Sequence, residues 1–309
     1  MMAIGVGLGM ARFPFERVDS FWEWVLLCED GGVDSLWQTD RLISDEPFLE
    51  CMSALAAIAG ATKRIKFGMN VASAALRDPL VLAKQCATID YLSNGRLLPA
   101  FGIGTVRAPE WKATGRETKG RGKRTDEALE IISRLWQGES VTLKGEYYQY
   151  KDAVISPIPK QQPLPLWVGG SSDAAVARTA RVGTGWQAGL ESPKRAGMAK
   201  KAIIEALKQT GRTIDDDHYG TGFFYYFGSR DDDVCQREMA RFAKLAPDSN
   251  LTHLLAVGAD ELLEQISKYV DQGIPKFILR PLGNSDAEVL RQTRQLIDHV
   301  LPRAEQMHS

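Results

Sequence analysis

The 309-residue sequence predicts an α/β fold, a (β/α)8 TIM barrel with insertions at its C-terminal face, and two observations carry that prediction. Short apolar runs alternate with helix-like segments from one end of the chain to the other, and there are eight such runs. No shift of composition and no low-complexity linker divides the sequence, so residues 1–309 are expected to form a single domain. A strand joined to the next by a crossover helix must run parallel to it. Eight repeats of that unit, within a length normal for a barrel with insertions, favour closure; an open doubly wound sheet is the alternative.

The expected strands, in order, are 4–8, 35–38, 65–70, 97–101, 166–169, 185–188, 221–227 and 277–279. Helical patterns fall at 21–30, 48–59, 79–92, 123–137, 173–182, 193–210, 232–245, 259–272 and 286–301. Boundary chemistry supports several of them. Asp78-Pro79 places a capping carboxylate before proline at the first helical position. Asn94-Gly95, Gly211 and Gly273 stand where helices need a residue that tolerates positive φ. Two stretches break the alternation: 139–152 reads as a hairpin turning at Lys144-Gly145, and 246–258 as an extra loop or short helix.

Composition narrows the function. With 44% hydrophobic and 25% charged residues and a formal charge of −1, the chain is an ordinary globular protein without the excess of cations that a nucleic-acid or membrane-surface binder needs. No run of about 18 apolar residues suggests a membrane span. Met1 to Val6 does not read as a signal peptide, so a cytoplasmic location is expected. Cys28, Cys51, Cys86 and Cys235 lie far apart without a C-x-x-C pair and read as small buried hydrophobes.

Several chemistries lack their motifs. Neither Gly5-Val6-Gly7-Leu8-Gly9 nor the run from Gly102 to Arg107 completes a dinucleotide fingerprint, and Gly122-Lys123 lacks the rest of a P-loop. The four histidines, His218, His253, His299 and His308, lack metalloprotease spacing, and no metal site is expected. There is no G-x-S-x-G elbow.

In a barrel, the strand ends and the loops after them build the site. Those positions hold Trp37-Gln38-Thr39-Asp40-Arg41, Asn70-Val71-Ala72-Ser73, Gly102-Ile103-Gly104-Thr105 with Glu110, Gly169-Gly170-Ser171-Ser172, and Arg280-Pro281. The Gly169–Ser172 stretch joins a strand to a helix, so its amides and hydroxyls can hold an anion; as a plain turn it would equally well carry a serine cap. Arg280 follows an apolar strand, where a charge needs an anionic partner. Asp40 and Arg41 read equally as a surface ion pair.

Taken together, these segments resemble the luciferase-like flavin-dependent oxidoreductases, a group that includes FMN monooxygenases and coenzyme F420-dependent reductases. The likeness rests on residues 34–41, 87–96 and 101–104, on Pro109-Glu110, Tyr147-Tyr148 and Pro157-Ile158-Pro159, on the run from Gln162 to Ser171, and on Gly183-Thr184-Gly185-Trp186. It implies a cofactor ring in the barrel mouth, packed on a non-proline cis peptide among residues 71–73, expected at Ala72–Ser73. It implies a cofactor phosphate at Gly169, Gly170 and Ser171 with Thr105, and ring contacts from Asn70, Ala72 and Ser73. Trp37 and Arg280 become the expected substrate contacts; Arg41, Glu110 and Asp40 the expected catalytic ones. It also implies a homodimer acting on a small molecule.

One departure stands out. Relatives carry a histidine after the second strand where this sequence has Arg41, and no histidine precedes residue 218. Arginine orients or stabilises charge but donates protons poorly, which leaves Glu110 for proton transfer. On that ground FMN, with O2 as co-substrate in a monooxygenase reaction, is favoured over F420-dependent hydride transfer. A non-catalytic flavin-binding barrel is the alternative from another class.

Overall fold

Strand β1 (Gly5–Met10) is buried along its whole length, as a parallel strand covered by helices on one face and by barrel interior on the other must be. The computed structural model describes residues 3–245 and 251–307. After β1 come α1 (Val18–Asp30), β2 (Ser35–Gln38), α2 (Cys51–Ala61), β3 (Lys66–Met69), β4 (Ala72–Ser73), α3 (Pro79–Leu92), β5 (Leu97–Leu98) and β6 (Ala100–Gly102). There follow α4 (Glu110–Ala113), α5 (Arg121–Trp136), the antiparallel hairpin β7 (Val141–Lys144) and β8 (Gln149–Ala153), then β9 (Trp167–Gly169) and α6 (Asp173–Val182). The chain ends with β10 (Gly185–Gln187), α7 (Pro193–Thr210), β11 (Tyr219–Thr221), β12 (Phe224–Tyr226), α8 (Asp233–Leu245), β13 (Leu255–Val257), α9 (Ala259–Val270), β14 (Lys276–Pro281), α10 (Asp286–His299) and α11 (Leu301–Gln306).

All pairings in the main sheet are parallel, and the ring closes. β14 and β2 flank β1, with Leu8 opposite both Leu279 and Leu36. The circuit continues through β3, β5 with β6, β9, β10 and β11 back to β14. The expected (β/α)8 barrel is therefore the observed fold.

Two expected strands are each split and a third, 65–70, is continued beyond a bend, and the breaks matter for the site. Pro99, which has no N–H for the ladder, separates β5 from β6, although its carbonyl still accepts the Trp167 amide at 2.9 Å. The seventh strand breaks at Gly222, whose backbone runs so close to Ile278 that a Cβ would lie 2.6 Å from its carbonyl oxygen. The third bends at Asn70–Val71, the one non-proline cis bond among the described residues, and continues past its expected end as β4. The expectation of a cis bond at Ala72–Ser73 is thus corrected. Those two residues are engaged as strand β4, opposite Phe101 and Gly102, so the bend falls two peptide bonds earlier.

Capping follows the sequence chemistry. The Asp78 carboxylate accepts the amides of Leu80 and Val81, Ser172 Oγ that of Ala175, and Ser285 Oγ that of Glu288. Helix α4 was not expected; it is a single turn in the loop after β6. Of the stretch 246–258, residues 246–250 lie outside the described residues, Thr252–Leu254 form a 3₁₀ turn, and β13 extends the sheet by pairing with β12.

The described core has one large cluster and three smaller ones. Barrel and helices share one cluster that includes all of Leu8, Phe67, Phe101, Val168 and Phe277. A second cluster, with Phe224, Tyr226, Phe242, Leu254 and Leu282, lies between β12, β13 and α8. All four cysteines are buried and free. Among the described residues no helix is long and apolar enough to cross a membrane.

Candidate active site

A cavity of about 540 Å³ opens at the C-terminal ends of the strands, within the size range of cofactor and ligand sites. Its wall brings together Asn70, Val71, Gly102 to Thr105, Gly169, Gly170, Gln187 to Leu190, Gly222 and Arg280. Each segment is the end of a barrel strand, so the fold assembles residues more than 200 positions apart.

The floor is made by Val71. A Cβ at Gly102 would approach Val71 Cγ2 at 2.9 Å, and one at Gly169 would approach Val71 Cγ1 at 3.1 Å. Glycine on β6 and on the next strand, β9, therefore leaves room for the Val71 side chain, which presents an apolar surface beside the mouth. This is the platform a flat ring needs. Ala72, by contrast, is fully buried beneath it, and Ser73 lies beside Gly104, whose Cβ would meet Ser73 Oγ at 2.8 Å.

At one end of the cavity, Gly169-Gly170 leads into the N-terminus of α6. Gly170 holds φ at +104°, a conformation that side chains with a Cβ rarely adopt. Ser171 Oγ is buried without a hydrogen-bond partner, and the first amides of a helix have no intrahelical acceptor. An orphan hydroxyl beside such amides fits a phosphate. Ser172 is the helix cap, so capping, one of the two tasks the sequence alone left open, does not fall to Ser171.

Asp40 and Arg41 point to different fates. The Asp40 carboxylate takes both terminal nitrogens of Arg77 at 2.8 Å and also accepts the Ser73 amide at 3.2 Å. Arg77 bonds Glu50 as well, at 2.7 Å. Burial works against the charge of Arg77, and the bonds to Asp40 and Glu50 more than restore it. Asp40, Glu50 and Cys51 lie close enough to share an ion, but the guanidinium already sits among them. Asp40 thus ties the end of β2 to β4 instead of facing the cavity.

Glu110 behaves differently. Its carboxylate is buried, with one oxygen 3.7 Å from Arg41 Nη1 and 3.4 Å from the Leu42 amide. The other oxygen has no partner. A buried carboxylate with one free oxygen and a neighbouring cation is equipped to accept and return a proton.

Trp37 is not in the mouth. It lies inside the barrel, donating Nε1 to Ser35 Oγ at 2.9 Å and meeting Trp167 edge-on. The missing side chains of Gly7 and Gly68 make its space; a Cβ on either would come within 3.0 Å of the indole. With Gln187, Trp167 and His218 it lines a second cavity of about 30 Å³ below the mouth, room for about one water. Trp167 Nε1 and Gln187 Oε1 are both without partners there.

Arg280 occupies the other end of the mouth. Its guanidinium lies over the Phe224 ring at 5.5 Å and has no carboxylate or hydrogen-bond acceptor among the described residues. Burial, and then the charge of Arg241, pushes it down to about 10, which Glu238 only partly offsets. Of the histidines, His253 Nε2 meets the Leu190 carbonyl at 3.0 Å and pins the loop after β10 from behind. His218 is bonded to Thr184 below the barrel, and His299 ends α10. His308 lies outside the described residues.

The model of the luciferase-like monooxygenases matches residues 3–280. The chain belongs to that family. Among curated relatives, it is 28% identical to an F420-dependent glucose-6-phosphate dehydrogenase of Microbacterium testaceum, over 90% of this chain and 91% of the relative. It is 26% identical to the protein of that name from Amycolatopsis mediterranei, over 91% and 93%. Among solved structures, a monooxygenase from Streptomyces bottropensis superposes with a TM-score of 0.83 at 19% identity, over 97% and 99% of the two chains. An F420-dependent secondary alcohol dehydrogenase bound to an F420–acetone adduct does so at 0.82 and 19%, over 98% and 99%. At such identity the superpositions establish the shared fold. Membership makes the protein an oxidoreductase, in a family whose members use F420 or FMN.

Sequence reasoning missed three contributors to this luciferase-like site. Arg77 is 37 residues from Asp40, and no local pattern links them. Val71 was treated as a neighbour of the bend, not as the floor. Gln187 faces both cavities, and only the strand register reveals it.

Proposed function

We propose that this protein is an F420-dependent oxidoreductase that exchanges a hydride and a proton with a small alcohol or carbonyl compound bearing a negative group. Glu110 carries the reading. Preference for FMN rested on the missing histidine after β2, and the half-partnered buried carboxylate meets the same need. A bound deazaflavin supplies or accepts the hydride. Gly169, Gly170 and Ser171, with Thr105, would hold its phosphate, and Val71 would support its ring.

The chain's own groups account for the rest. When an alcohol is oxidised its hydroxyl loses a proton, and the half-partnered Glu110 carboxylate beside Arg41 is the group we assign to take it. Arg280 supplies the charge that fixes the substrate's anionic group, as the sugar phosphate named for the curated relatives would require. The test is anaerobic: F420 absorbance is followed with a panel of phosphorylated and carboxylated alcohols, beside O2 consumption with reduced FMN. F420 reduction by a member of the panel is expected. Substrate-coupled O2 consumption with FMN, together with no binding of F420, would overturn the proposal.

A further inference from the structure

Six of the seven tryptophans are buried, and five of those six donate the indole N–H within the protein: Trp24, Trp37, Trp111, Trp136 and Trp186. The sixth, Trp167, bonds nothing. Its ring is nonetheless fixed. A Cβ on Gly185 would come within 2.5 Å of the indole and one on Gly220 within 3.2 Å, while the rings of Trp37 and His218 lie against it at 6.2 and 5.5 Å. A buried donor held in place without an acceptor is costly.

The strand register puts a matching group directly above it. Trp167 lies opposite Gly185, and Gln187, two residues on, lies opposite Gly169. Trp167 and Gln187 therefore occupy successive layers on one face of the sheet. Gln187 Oε1 is also buried without a partner, and both side chains line the cavity of about 30 Å³ below the mouth. Whatever fills that space must accept from an N–H and donate to a carbonyl oxygen. The N–H repels a cation, the carbonyl oxygen repels an anion, and the volume admits about one water. Water meets every condition, with Ser35 and His218 in the same wall as further partners. The rest of the amide belongs to the mouth. Gln187 lines that cavity too, and its Nε2 bonds no described residue. Its neighbour Gly169 backs the Val71 floor, so Gln187 stands at the edge of whatever lies on that floor.

We propose that one water bridges Trp167 Nε1 and Gln187 Oε1 and so fixes the Gln187 amide with its nitrogen towards the mouth, where it donates to a carbonyl oxygen on the edge of the cofactor ring. This rests on the ring lying over Val71, as read above, and holds for F420 and FMN alike, since both rings carry such oxygens. A glutamine amide can offer either its oxygen or its nitrogen. The water removes that choice, because an indole N–H can only donate. Gln187 thus binds the ring, and Trp167, which does not line the mouth, is its positioning residue.

Two measurements test this. A crystal structure of the cofactor-free protein should show one water within hydrogen-bond distance of both atoms; a dry cavity, or an indole bonded directly to the amide, would overturn the bridge. Equilibrium titration with FMN and with F420, read by cofactor fluorescence without turnover, tests the donor. Gln187→Met keeps the length of the side chain and should weaken binding about three- to tenfold, the loss of one neutral hydrogen bond. Trp167→Phe should weaken it by no more than that factor, and should add nothing in the Gln187→Met background. Losses that multiply in the double variant would reduce Trp167 to packing, and unchanged affinity in Gln187→Met would remove the donor, both leaving the cofactor reading intact. Should Trp167→Phe fail to fold, the wild-type crystal structure and the Gln187→Met titration still decide. Failure of both FMN and F420 to bind the wild type would remove the cofactor reading and the donor with it.

Discussion

Replacing Arg280 with methionine should make the apo-protein more stable. A guanidinium pushed from its ordinary value down to about 10 by burial carries a penalty of roughly 3 kcal/mol, at about 1.4 kcal/mol per pH unit. Its contact with Phe224 returns about 1 kcal/mol, and methionine keeps the packing of the aliphatic stem. The net gain for Arg280→Met is therefore about 2 kcal/mol. Urea unfolding of cofactor-free protein would show it as a midpoint raised by roughly 0.7 M, for a slope of about 3 kcal/mol/M. The pH dependence has a defined sign. From about pH 10 up to the ordinary arginine range, the unfolded wild type binds more protons than the folded form. Wild-type stability thus rises with pH relative to the variant, and the gap narrows. Inorganic phosphate should stabilise the wild type more than the variant, which keeps the Gly169–Ser171 end of the cavity but loses the guanidinium. A variant less stable than wild type would refute the argument, because it would mean that the guanidinium already has a strong partner within the protein.

Glu110→Gln removes the proton acceptor but not the shape, so kcat/KM should fall about 10²- to 10⁴-fold while cofactor affinity stays near wild type; near-normal turnover would dismiss Glu110 from the chemistry. Asp40→Asn leaves Arg77 facing only Glu50 and should cost about 2–4 kcal/mol on chemical denaturation, with the pH profile of turnover unchanged. A shifted profile with intact stability would instead make Asp40 a catalytic group. Ser171→Ala should leave apo stability unaltered, weaken FMN or F420 binding by about tenfold, and not affect riboflavin, which lacks the phosphate; equal losses for riboflavin and FMN would place the phosphate elsewhere.

What could be read from the sequence was local. Eight apolar runs with capped helices between them define the barrel, because burial on both faces and helix-end chemistry leave marks within a few residues. Gly169 to Ser171 and Arg280 were visible for the same reason: glycines at a strand-to-helix turn and a charge after an apolar run are short-range signals. Asp40 was not readable as a tie between strands, because its partner Arg77 arrives with another loop. Trp37 was misplaced because the room for it comes from Gly7 and Gly68 on other strands. The basic run from Arg116 to Arg124 lay in plain view, but the near-neutral total charge hid it. Its position beside α6 is a fact of tertiary structure.

The satellite core behind β12 sets how this enzyme can change. The surfaces expected to hold the cofactor rise from the barrel's strand ends, where one altered side chain disturbs strands all round the ring. The ledge that carries Arg280 over Phe224 backs onto a separate small cluster with its own strand, β13, and its own helix, α8. Residues there can be exchanged in concert with little effect on the barrel's packing. Laboratory libraries seeking new substrates belong in that annex, where variation leaves the machinery for reduction and oxidation standing.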